Sequence, residues 1–104
     1  MVYMHHYEGK RIDPHVHNFV FRNVVYTQEV LLIKKGKIRV DFYDDYKEYL
    51  SSTVLSVGDT ILLASGGHGF KVLEEVEMIE VKQGSYSGEL DKTRFKAISD
   101  DEVI

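Results

Sequence analysis

The clearest pattern along the chain has a period of two. Between residues 37 and 43, Ile38, Val40 and Phe42 alternate with Arg39 and Asp41, as in a strand with one face in a core and the other among polar groups. Residues 24–34 precede it as a run rich in β-branched and aromatic side chains, again a strand composition. Gly36 lies between Lys35 and Lys37 and can take a positive φ at little cost. The two runs are therefore expected to form a hairpin that turns at Gly36.

The same alternation of short apolar runs and turn residues continues. Residues 44–47 read as a polar turn, 48–57 as a strand, Gly58-Asp59 as a second turn and 60–63 as a short buried strand. A loop follows at 65–67. Residues 70–73 and 76–83 then read as the arms of a last hairpin, cornered at Glu74-Glu75. Five or six short strands between about 24 and 83, with no helical period, indicate a sandwich or a barrel. Beyond Gly84 the chain turns polar. There, 93–98 reads as one more edge strand, and 99–102 as an end that either frays or closes in a short helix.

Length and charge narrow the class. The 104 residues suit one domain. The formal net charge of −4 lacks the basic footprint of a nucleic-acid binder. There is no cysteine, so any metal must be held by histidine, carboxylate or water. The first eight residues do not have the form of a signal peptide, and the longest apolar runs, such as 30–33, are four residues, far short of a membrane span. A cytoplasmic protein without membrane or nucleic-acid partners is expected.

Candidate chemistry centres on histidine. In an extended segment His15 and His17 point to the same side, and two imidazoles so placed can ligate one metal. The alternative is a pair of polar side chains on a solvated face. Three further features accompany the pair. Six residues separate Glu29 from Gly36, five separate Gly9 from His15, and Gly58 is followed after five residues by Ala64-Ser65-Gly66 and then by His68.

In these residues the chain resembles the cupin superfamily. Its first motif runs Gly, five residues, His-x-His, a short interval, Glu, six residues, Gly; its second runs Gly, five residues, Pro-x-Gly, two residues, His, three residues, Asn. Here the residues 18–28 make a longer interval than usual, Ala64 replaces the proline, one residue separates Gly66 from His68, and Val72 occupies the asparagine position. The resemblance covers about 9–83. It implies an all-β double-stranded β-helix, a jelly-roll barrel, forming one domain over 1–104 with a polar C-terminal segment at 84–104. It further implies one divalent transition metal (Fe, Mn, Ni, Cu or Zn) held by His15, His17, Glu29 and His68. Open coordination positions would serve water or substrate, and Glu29 would double as the catalytic base. Pairing through edge strands implies a homodimer, with the N-terminal segment at 2–7 or the C-terminal segment suited to it.

Two functions follow from that resemblance. One is a metal-dependent enzyme of oxygenase, isomerase or decarboxylase type acting on a small oxygen-rich molecule, a sugar or an organic acid. The other is a non-catalytic module that binds or senses a small ligand such as a carbohydrate. Phe19, Phe21 and Tyr26, in the long interval, are candidates for a pocket mouth, and Arg22 there for contact with an anionic substrate group, although ordinary packing and solvation are the commoner roles. His5 and His6 are adjacent and would face opposite sides of a strand. Glu74, Glu75, Glu77 and Glu80 read as solubility and edge protection.

Overall fold

The β-branched and aromatic run beginning at Glu29 does not stop at Gly36. In the computed structural model, which describes residues 3–21, 27–83 and 93–104, it continues as one strand, β1 (Glu29–Tyr43). Three more strands follow, β2 (Tyr49–Leu55), β3 (Thr60–Leu63) and β4 (Gly67–Lys82), and then a 3-10 helix at Asp100–Glu102. Among the described residues the fold is all-β, with four strands in one antiparallel sheet. The sheet is bent but not closed into a barrel. β4 runs along one edge of β1, while β2 and β3 lie end to end along the other.

The hairpin expected at Gly36 is replaced by a bend. The chain does change direction there, with Gly36 at φ 81°, but the two arms of β1 pair with β4 and not with each other. Ile33 pairs with Met78, Lys35 with Glu77 and Lys37 with Glu74, with a register shift at each step. Such bulges bend and twist a strand. They also move the buried set from Leu31 and Ile33 to Ile38 and Val40, so that both arms keep their apolar face inward. β4 bends opposite, at Glu74-Glu75, where a last hairpin was expected; here too one strand continues through the corner. Lys35 and Lys37 pair across the bend with Glu75 and Glu74, at 3.2 and 3.8 Å.

The bend is tight enough to double the sheet over. β3 ends at Leu63, beside Glu29, and β4 begins at Gly67, beside Tyr43. Four residue steps span at most about 14 Å, whereas a straight strand would hold Glu29 and Tyr43 more than about 40 Å apart. The two ends of β1 must therefore approach each other, and the core lies between its arms. Leu31, Ile33, Ile38, Val40, Leu55 and Leu63 form that core, with Phe42, Ile61 and Val76 packed against it. The turn between β2 and β3 is tied to the bend, because Ile33 N–H donates to the Asp59 carbonyl and Gly58 N–H to the Ile33 carbonyl, at 3.0 and 2.9 Å.

Several sequence expectations are met. The turn after Tyr43 is closed by Asp44, whose Oδ1 accepts from the N–H groups of Tyr46 and Glu48. The Gly58-Asp59 turn and the short strand at 60–63 stand where they were expected. Residues 93–98 differ: they form no strand, and the chain crosses the sheet as a strap that ends in the 3-10 helix. Residues 9–21, expected within a barrel, carry no strand and are exposed throughout. This arm contributes to a radius of gyration of 17.1 Å, against about 13 Å for a compact domain of this length. Among the described residues no helix is long and apolar enough to cross a membrane.

Candidate functional site

Doubling the sheet brings distant parts of the chain to one cleft. Glu29 comes from the start of β1, Tyr43 from its end, and His68 and Phe70 from β4. The loop at 65–66, Asp45 of the polar turn, Thr27 and the strap residues Thr93, Arg94, Phe95 and Ala97 complete the lining. The cleft measures about 620 Å³, within the range of small-molecule sites. Its glycines are there for closeness. A Cβ on Gly66, which has φ 78°, would lie 2.7 Å from the Tyr43 carbonyl oxygen, and one on Gly67 would lie 3.1 Å from Phe95 Cζ. The loop thus turns tightly against the end of β1, and Phe95 rests over it.

Glu29 and His68 meet in this cleft. Glu29 Oε2 is 3.9 Å from His68 Nε2, with both side chains largely buried. That is too long for a hydrogen bond. Two ligands of one tetrahedral ion, each bonded at about 2.1 Å, stand about 3.4 Å apart, so a small rotation of either side chain would bring the pair to ligand spacing.

His15 and His17 form a second pair. Their rings are edge to face with centroids 5.1 Å apart, on the same side of their segment as the His-x-His spacing predicts. His15 Nδ1 is 3.0 Å from the Asp13 carbonyl oxygen. Donation of Nδ1–H to that carbonyl leaves Nε2 as the free lone pair, the tautomer a metal ligand uses. This pair lies on the exposed arm. Among the described residues no three histidine or carboxylate side chains gather at one point. The four predicted ligands therefore stand as two pairs, one in the cleft and one on the arm, and not as a single assembled set.

The other described candidates fall outside the cleft. Phe19 and Phe21 are fully exposed and do not shape its mouth. Tyr26 and Arg22 lie outside the described residues. His5 and His6 are exposed.

One polar constellation went unseen in the sequence. Asp41 is only 3% exposed. Its carboxylate accepts from Arg39 Nε and Nη2 at 2.8 and 3.0 Å and from Ser52 Oγ at 2.6 Å, and Tyr49 Oη is 2.7 Å from the same Ser52 oxygen. Burial pushes the Asp41 carboxyl up, but the hydrogen bonds from Arg39 and Ser52 and the charge of Arg39 outweigh it and hold it below the usual carboxylate range. Arg39-x-Asp41 places both side chains on the strand face opposite Ile38 and Val40. That is the signal that marks them: a charged pair on the polar face of the most regular strand. No known protein family, curated protein or solved structure matches the chain.

Proposed function

We propose that this chain is a small metal-binding protein of the cupin type, and that its cleft takes a small oxygen-rich molecule such as a sugar or an organic acid. The observation that carries this is the meeting of Glu29 and His68 in one cleft of about 620 Å³, although they come from opposite ends of the doubled sheet. The metal would be one divalent transition ion, since imidazole and carboxylate without thiolate suit Fe, Mn, Ni, Cu or Zn. His15 and His17 would join Glu29 and His68 when the arm folds over the cleft. Bound there, the metal would supply Lewis acidity toward a substrate oxygen. Glu29 would act as the base, holding or releasing a proton at its carboxylate, and Phe70, Tyr43 and Phe95 would limit water at the reacting group.

A double-stranded β-helix is the finer fold that goes with this proposal. It is supported by a sheet already doubled on its core with both arms of β1 sharing β4 as partner. Association as a homodimer is supported by the outer edge of β4, which no strand pairs among the described residues and where Val72, Ile79 and Val81 are exposed. A cytoplasmic location agrees with the absence of cysteine.

A second reading, a non-catalytic carbohydrate-binding module, is favoured by the aromatic lining. The rings of Tyr43, Phe70 and Phe95 beside the carboxylates of Glu29 and Asp45 offer apolar faces and hydroxyl acceptors together, which is what a sugar needs.

Elemental analysis of protein purified without an affinity tag tests the first reading, with His68→Ala, Glu29→Gln and the double variant His15→Ala/His17→Ala alongside. Wild type should carry about one equivalent of metal and each variant clearly less. Equal metal in all four overturns it. Sugar binding by a metal-free wild type, lost in Phe70→Ala, would select the second.

A further inference from the structure

Residues 93–104 hold the outer face of the sheet at one end and line the cleft at the other. Thr93, Arg94, Phe95 and Ala97 line the cleft. The Phe95 ring meets Tyr43 edge to face, with centroids 4.9 Å apart, and lies directly over Gly67, the neighbour of His68. Beyond the cleft the strap is tied down at successive points. Ile98 N–H donates to Tyr43 Oη at 3.2 Å and Ile104 N–H to Tyr49 Oη at 3.1 Å. Between them, Asp100 accepts from Arg39 Nη1 at 3.2 Å and from Lys71 Nζ at 3.0 Å.

The chemistry of that last contact is specific. Arg39 and Lys71 are direct cross-strand partners on β1 and β4, and like charges so opposed destabilise a sheet. Asp41 engages Arg39 from one side, which leaves Lys71 uncompensated until Asp100 closes over both. Ser99 and Glu102 brace the short helix that presents Asp100, through Oγ–H and N–H donation to the Glu102 carboxylate at 2.6 and 3.3 Å.

We infer that residues 93–104 are a latched wall of the Glu29–His68 cleft, with Asp100 the positioning residue whose grip on Arg39 and Lys71 sets access to it. This rests on the cleft being the ligand site proposed above. Asp100 touches nothing in the cleft itself. It acts through the strap: release at Asp100 leaves the helix end on its hydrogen bonds to the two tyrosine hydroxyls, and lifting of Phe95 uncovers Gly67 and His68.

The test uses the full chain and needs no ligand. Modification of His68 by diethyl pyrocarbonate, followed peptide by peptide at one fixed pH, reads access to the cleft, with the exposed His5 as internal reference. Amide exchange at Ile98 and Ile104 reads attachment of the strap. In Asp100→Asn both rates should rise about fivefold, the scale expected when a small ion-pair cluster is lost. Asp100→Glu should restore both, and Phe95→Ala should raise the His68 rate alone. Faster exchange at Ile98 and Ile104 with an unchanged His68 rate overturns the inference, as does an unchanged rate at all three. Neither result touches metal loading at Glu29 and His68, which fails or succeeds separately by elemental analysis.

Discussion

Arg39 and Asp41 stand two residues apart on one face of β1 and are joined by two hydrogen bonds, from Nε at 2.8 Å and Nη2 at 3.0 Å. The guanidinium also reaches Asp100, so one side chain ties the sheet to the C-terminal strap. Because Asp41 is buried, its replacement by Ala should cost about 3 kcal/mol, near the low end for breaking a buried pair. Chemical denaturation measures it directly. A loss under about 0.5 kcal/mol, the range of ordinary surface changes, contradicts the assignment.

The same pair sets an acid limb. The folded-state pKa of Asp41 is lowered, so its contribution is full above the ordinary carboxylate value of about 3.9 and is lost as pH falls through the lower, folded value. Wild-type stability should therefore drop below about pH 4 more steeply than that of Asp41→Asn. Parallel curves for the two proteins would contradict this.

Gly36 and Gly58 provide a matched contrast at the two main turns. Both have positive φ, 81° and 89°. A Cβ on Gly36 would fall 1.9 Å from the Glu75 carbonyl oxygen, whereas one on Gly58 meets nothing within 4 Å. Gly58→Ala should thus cost only the conformational penalty, about 1–2 kcal/mol. Gly36→Ala should cost more than twice that or fail to fold, because the bend must open. Equal melting temperatures for the two variants would mean that the close crossing of β1 and β4 is not required.

The arm separates binding from stability. His15 and His17 are exposed, so His15→Ala/His17→Ala should leave unfolding free energy within about 0.5 kcal/mol of wild type while lowering metal content. Leu31→Ala, at a fully buried core position, should do the reverse: destabilise by about 3 kcal/mol and leave metal stoichiometry unchanged in the folded fraction.

The outer edge of β4 bears on association. Ile79 is exposed there, and a lysine on an edge strand opposes pairing with another chain. Ile79→Lys should shift sedimentation from dimer to monomer without lowering the melting temperature. A wild type that is monomeric across the accessible concentration range overturns the homodimer.

Local chemistry was legible from the start. The strand at 37–43 could be read because its alternation is a property of adjacent residues, and the turns at 44–47 and 58–59 because Asp44, Gly58 and Asp59 act within a few residues of themselves. Motif spacing assigns His15, His17, Glu29 and His68 to one site; Glu29 and His68 stand 3.9 Å apart, whereas His15 and His17 lie on the exposed arm. The long interval at 18–28 was the point at which spacing ceased to inform, since a segment of that length leaves the direction of His15 and His17 open.

Residue order alone thus marked the extended runs at 37–43, 48–57 and 60–63 and the turns at 44–47 and 58–59, and led to the expectation of a reversal at Gly36. Folding in three dimensions chose what the reversal becomes. Each arm of β1 took β4 as its partner, a decision made by contacts between residues forty positions apart, such as Lys35 with Glu75, and those are invisible to a local pattern. The strap across Tyr43, Arg39 and Lys71 belongs to the same category, because the N–H groups of Ile98 and Ile104 are satisfied by side chains of distant strands.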